Sequence, residues 1–140
     1  VFNSIGNKIM VQRSIKPRPL LKKDKEDIFS FWEKTPPYSN DIKRYKERAV
    51  FSKNYPAIYY CCIDSGRIYL FTYSSLNEPN ECYIYRSNGE FIKSLMINIY
   101  KNSCFEKPIL AIRNNTVFQL IWDNDAENWC LIESTENLND

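Results

Sequence analysis

The sequence predicts a mainly β fold, an antiparallel up-and-down meander preceded by a two-helix segment near the N-terminus. Three observations carry that prediction. From Pro56 onward, short runs of Tyr, Ile, Val, Phe, Thr and Cys alternate with polar breaks at Asp64-Ser65-Gly66, Asn77-Glu78-Pro79-Asn80, Ser87-Asn88-Gly89 and Asn114-Asn115. Such spacing marks strands joined by tight turns rather than by crossovers. Second, Ile63-Asp64-Ser65-Gly66-Arg67-Ile68-Tyr69-Leu70-Phe71-Thr72-Tyr73 is echoed by Ile112-Arg113-Asn114-Asn115-Thr116-Val117-Phe118-Gln119-Leu120-Ile121-Trp122. The offset of about 49 residues lies in the range of stacked repeat architectures. Third, Ile68–Tyr73 and Val117–Trp122 are apolar at nearly every position, which predicts strands covered on both faces. A self-contained α+β domain, with the helices packed across one antiparallel sheet, is the alternative.

Residues 1–22 read as a strand remnant and linker. Ile9–Ile15 is an extended run after the turn signal Gly6-Asn7, and Lys16-Pro17-Arg18-Pro19 ends it, because proline removes a donor and holds its predecessor extended. Residues 23–51 read as two helices. In Asp24–Lys34, Ile28 and Trp32 are i,i+4 partners and Phe29 and Phe31 widen the stripe. Acidic residues at its front and Lys34 at its end suit the helix dipole. Thr35-Pro36-Pro37 stops it. Ser39 or Asn40 then caps a second helix with Ile42, Tyr45 and Ala49 as its apolar stripe.

Residues 52–140 hold the antiparallel repeats, two related units. Strands are expected near 57–63, 67–73, 81–86, 91–97, 109–113, 117–122 and 129–134. Asn88-Gly89 predicts a type I′ hairpin turn, since both residues tolerate positive φ. The echo extends to Cys82-Tyr83-Ile84-Tyr85 against Cys130-Leu131-Ile132-Glu133.

The run Tyr55-Pro56-Ala57-Ile58, then Ile63–Tyr73, then Tyr85-Arg86-Ser87-Asn88-Gly89-Glu90-Phe91-Ile92 resembles bacterial six-bladed β-propellers of the NHL and TolB-like kind. In that family a D-x-x-G-x-[IL]-[YW] step closes the first hairpin of a blade, and a D-x-[DN]-G-x-[FY] step leads into its last strand. Here Arg86 stands where the second step usually has Asp, and Asn114-Asn115 replaces the glycine turn in the second unit. The resemblance spans roughly residues 50–134. It implies about two blades, a scaffold for binding or assembly, and a cell-envelope or periplasmic setting. An open two-blade piece exposes apolar faces and unpaired edges. The chain is therefore expected to be the C-terminal part of a longer protein or to bury those faces by self-association. It opens on Val1 rather than Met, which leaves room for a leader or further region ahead of it.

Composition narrows the function. Nineteen basic residues against 17 acidic ones give no electrostatic basis for nucleic-acid binding. The clusters Lys16, Arg18, Lys22, Lys23, Lys25 and Lys43, Arg44, Lys46, Arg48 read as solvated faces, and Tyr38, Tyr45 and Tyr55 among them are weak base-stacking candidates. No apolar run reaches the roughly 18–20 residues of a membrane span. The chain has no histidine, so neither Ser-His-Asp nor Cys-His catalysis can be assembled from it. Three glycines cannot form a glycine-rich phosphate loop. Asp123-Asn124-Asp125 with Glu127 reads as a hairpin turn rather than a calcium loop. The five cysteines, Cys61, Cys62, Cys82, Cys104 and Cys130, lack C-x-x-C spacing and read as structural thiols, with a disulfide as the alternative. Neighbouring Cys61 and Cys62 should face opposite sides of a strand.

No catalytic, cofactor-binding or metal residue is assigned. The expected function is a non-enzymatic binding or assembly module, its partner another protein or a second copy meeting the sheet faces. The alternative is a fragment of a propeller hydrolase or lyase whose catalytic residues lie outside this chain.

Overall fold

Among the described residues of the computed structural model, seven strands form two antiparallel sheets behind a short helical segment. The structure describes residues 14–76, 78–101, 107–123 and 125–135. The predicted strand over 9–15 falls mostly outside these, as do Asn77, Cys104 and Asn124.

The helical segment is bracketed by its own flanks. Pro19 bridges Asn54, Leu20 N donates to Lys53 O and Tyr55 N donates to Arg18 O. Between these flanks lie helix α1 (Lys22–Lys34), a 3-10 turn (Tyr38–Asp41) and helix α2 (Ile42–Arg48). The start of α1 is fixed by Asp24, whose buried carboxylate accepts from Leu21 N at 2.8 Å, the reach-back half of a capping box. Ser39 and Asn40 do not cap α2. They sit inside the 3-10 turn, and the residue before the helix, Asp41, makes no side-chain cap bond. Ile28 packs with Leu20, Tyr55, Trp32, Phe51 and Tyr73, so the helices bury their stripe against the bracket. Among the described residues no helix backbone comes within 8 Å of a strand backbone. The helices are thus not laid across a sheet, as the α+β alternative required.

The first sheet runs in the order β1 (Tyr60–Asp64), β2 (Arg67–Phe71), β3 (Asn80–Arg86), β4 (Phe91–Ile97). The second runs β5 (Ile109–Arg113), β6 (Thr116–Asp123), β7 (Asn128–Thr135). Every pairing is antiparallel between sequence neighbours, the predicted meander. Ser65 and Gly66 take φ of 49° and 73°, and Asn114 and Asn115 take 49° and 63°. Asn tolerates the left-handed region where most residues do not, so both first hairpins close through the same two-residue turn with different residues. The β3–β4 turn departs from the prediction. Gly89 alone has positive φ (92°), Gly89 N donates to Arg86 O, and Arg86 N donates to Glu90 O. This is a three-residue loop with a glycine bulge, not a type I′ turn.

The two units match in register. Arg67 pairs Arg86 as Thr116 pairs Thr135, and Phe71 pairs Cys82 as Leu120 pairs Leu131. Cys82 therefore corresponds to Leu131, and the apparent Cys82–Cys130 echo is off by one residue.

The core lies between the sheets. From the first come Tyr60, Cys62, Tyr69, Phe71, Cys82 and Ile84; from the second, Leu110, Ile112 and Val117. The two backbones approach most closely along β1 and β5. There Tyr60 Oη donates to Leu110 O at 2.8 Å, and Arg67 Nη1 donates to Asn115 Oδ1 at 3.3 Å.

Candidate functional site

Strand pleating sends alternate residues of β5–β7 to opposite sides. One side is the core just described. The other carries a row across three strands, Ile109–Leu120–Leu131, beside Ala111–Phe118 and the cross-strand pair Trp122–Trp129. Leu131 is 66% and Trp129 56% exposed, and Ile109 and Trp122 are exposed as well, while Phe118 and Leu120 are half-buried. The sequence predicted both faces of β6 covered. Among the described residues the first sheet covers one face, and the other is open. The indoles meet edge to face, with centroids 5.5 Å apart, a favoured aromatic geometry. The hairpin that presents them is pinned by Asp123, whose Oδ1 accepts from Asp125 N at 2.9 Å and Ala126 N at 3.1 Å. That carboxylate serves the turn. Among the described residues no cluster of three His, Cys, Asp or Glu is placed to hold a metal ion.

No family model matches the chain, and neither the curated proteins nor the solved structures contain a match. The reading therefore rests on the geometry.

Two further features bring polar side chains together. A groove of about 540 Å³ is lined by Pro17 and Pro19, ahead of α1, and by Tyr55, Tyr73, Tyr83 and Met96 among others. At its side the Arg18 guanidinium donates to Ser75 Oγ and Glu78 Oε2. That hydrogen bond holds the Glu78 carboxyl below its ordinary range. The second feature is a polar node where Lys101 Nζ donates to Ser74 Oγ (2.7 Å), Ser74 O (3.1 Å) and Asn80 Oδ1 (3.4 Å). A serine beside a lysine amine is a possible nucleophile and base. Here Ser74 is 1% exposed and its hydroxyl donates to Glu78 O at 2.9 Å, so it closes a loop.

The thiols among the described residues are held inside strands. Cys61, Cys62, Cys82 and Cys130 are free. Cys61 faces out and Cys62 faces the core, the predicted opposition. Burial, then the neighbouring Cys61, pushes Cys62 up to about 12, and burial raises Cys61 and Cys82 too. A thiol held protonated is a poor nucleophile. The tyrosines singled out for stacking are spent internally. Tyr38 stacks on Trp32 at 5.6 Å, Tyr45 meets Tyr38 edge-on at 5.2 Å, and buried Tyr55 stacks on Tyr73 at 5.2 Å. Part of the basic clusters is ion-paired, as in Lys46–Glu33 and Arg44–Asp41. Among the described residues no helix is long and apolar enough to cross a membrane.

Proposed function

We propose that this chain is a non-enzymatic assembly module, a propeller-like scaffold whose contact surface is the open face of β5–β7. The observation that carries this reading is the continuous apolar row Ile109–Leu120–Leu131 flanked by the Trp122–Trp129 pair. Water in contact with such a surface is costly at roughly 25 cal/mol per Å², and a contiguous patch of this kind marks a contact site. Tryptophan is also the residue that most often dominates the energy of an interface. Close approach of the sheets along their first strands, β1 and β5, supports a blade-like stacking of the two units.

Sedimentation velocity of the 140-residue chain over a range of concentrations tests the reading. Wild type is expected to associate reversibly, and Trp129→Lys, at an exposed position, to shift toward monomer. A wild type that stays monomeric throughout overturns it. So does association that Trp129→Lys leaves untouched.

A further inference from the structure

We infer that the open face of β5–β7 receives the exposed β1 strip, Cys61 and Ile63, on the outer side of a second copy's first sheet, in the head-to-tail manner by which β1–β4 already receives β5–β7. The inference rests on the assembly reading above and names its partner. It follows from the shared register. On the first sheet the core-facing rows are Tyr60–Phe71–Cys82 and Cys62–Tyr69–Ile84. Their counterparts on the second sheet are Ile109–Leu120–Leu131 and Ala111–Phe118–Glu133, which make the open face. Glu133 sits on the edge strand β7, at the rim.

The reverse correspondence also holds. Leu110, Ile112 and Val117 fill the existing interface from the second sheet. Their counterparts on the first sheet are Cys61, Ile63 and Ile68, on the side turned away from the core. Ile68 is already buried, at 3% exposure, so the half-interface left free on the first sheet is the β1 strip of Cys61 and Ile63. Ile15 packs with Ile68, Tyr83 and Tyr85 at the centre of that outer face. Along β1 the face stays open, with Ile63 64% exposed and Cys61 exposed. A stacked copy therefore meets Cys61 and Ile63 beside Ile15.

An interface between two different faces does not stop at a pair unless a ring closes, whereas a self-matching face stops at a dimer. Two variants at exposed positions separate these cases, Leu131→Lys for the open face and Ile63→Lys for the outer face. Each retains one intact half. Alone, each is expected to associate about tenfold more weakly or worse than wild type, since a lysine buried in an apolar contact must be desolvated without a partner. Mixed, they are expected to form a one-to-one pair that grows no further, measured by light scattering, with folding of each checked by circular dichroism and cooperative melting. Should Leu131→Lys fail to melt cooperatively, Trp129→Glu replaces it. If Ile63→Lys alone associates as well as wild type, the open faces meet each other. That outcome overturns the head-to-tail arrangement and leaves the assembly reading standing. A wild type that never associates overturns both.

Discussion

Tyr60, on the first strand of one sheet, donates its hydroxyl to the carbonyl of Leu110, on the first strand of the other, across 2.8 Å. The bond joins two edge strands at the line where the sheets are closest. It satisfies a carbonyl that β5 has no strand to pair with on that side. Much of the remaining contact is apolar and carries little directional information, so this bond helps set how the units sit on each other.

Tyr60→Phe keeps the ring in the core and removes only the donor. A net loss of about 1 kcal/mol is expected, with the melting temperature lowered by about 4 °C. Calorimetry on the two proteins checks this, and equal melting temperatures would show that the bond contributes nothing.

Gln119 performs a second tie. Its register counterpart in the first sheet is Leu70, yet Gln119 is buried, accepts from Tyr100 N at 2.9 Å, and donates to Tyr100 O. The connection between the sheets is thereby clamped to β6, while Lys101, the next residue, is clamped to Ser74 and Asn80 of the first unit. Gln119→Leu restores the repeat and strands both backbone groups of Tyr100. A loss of about 2–4 kcal/mol is expected, because unpaired polar groups cost more than the bonds themselves return. Urea unfolding measures it; a variant as stable as wild type would mean that Tyr100 finds water at no cost.

Much of the fold was legible because turns and periodicity are local. Asp64-Ser65-Gly66 and Asn114-Asn115 placed their hairpins, and the β-rich runs placed all seven strands to within a few residues. What escaped depends on partners distant in sequence. Gln119 reads as an interruption in an apolar run until Tyr100 is seen against it. Residue type misaligned Cys82 with Cys130, because only the ladder reveals the register. The Ser87-Asn88-Gly89 turn was mistyped, since Asn-Gly suits a two-residue turn but the strands leave a three-residue loop. An exposed apolar face was expected of two units standing alone, but which side of β6 carries it was not legible. Periodicity shows that both sides of β6 are apolar, and it is silent on whether anything covers them.

The matched hairpins make a direct test of turn chemistry. Gly66 has φ of 73°, and a Cβ built there meets nothing within 4 Å. Gly66→Ala is therefore penalised by conformation alone, at about 1–2 kcal/mol. Gly66→Asn reproduces the residue that stands at Asn115 and is expected to recover at least half of that loss. Thermal melts of the three proteins decide it. Equal stability of the alanine and asparagine variants would mean that side-chain tolerance of positive φ is not what closes these turns.

The buried thiols and phenols set the alkaline limit. Cys62 rises from 9.0 to about 12, and Cys82 also rises. Tyr60 and Tyr69 move upward as well, all four chiefly because burial disfavours the charged form. Between pH 9 and 12 the native state thus holds protons that the unfolded chain has released. The slope of stability with pH is negative wherever the native state binds more protons. Stability is expected to be flat through neutrality on account of these groups and to fall progressively above about pH 9. Cys82→Ala removes one such group and should shallow the fall while lowering stability at pH 7, since a buried side chain is truncated. Denaturant midpoints measured from pH 7 to 11 check both parts. A wild-type midpoint that holds steady to pH 11 would mean that these groups ionise in the folded protein as readily as in the unfolded chain.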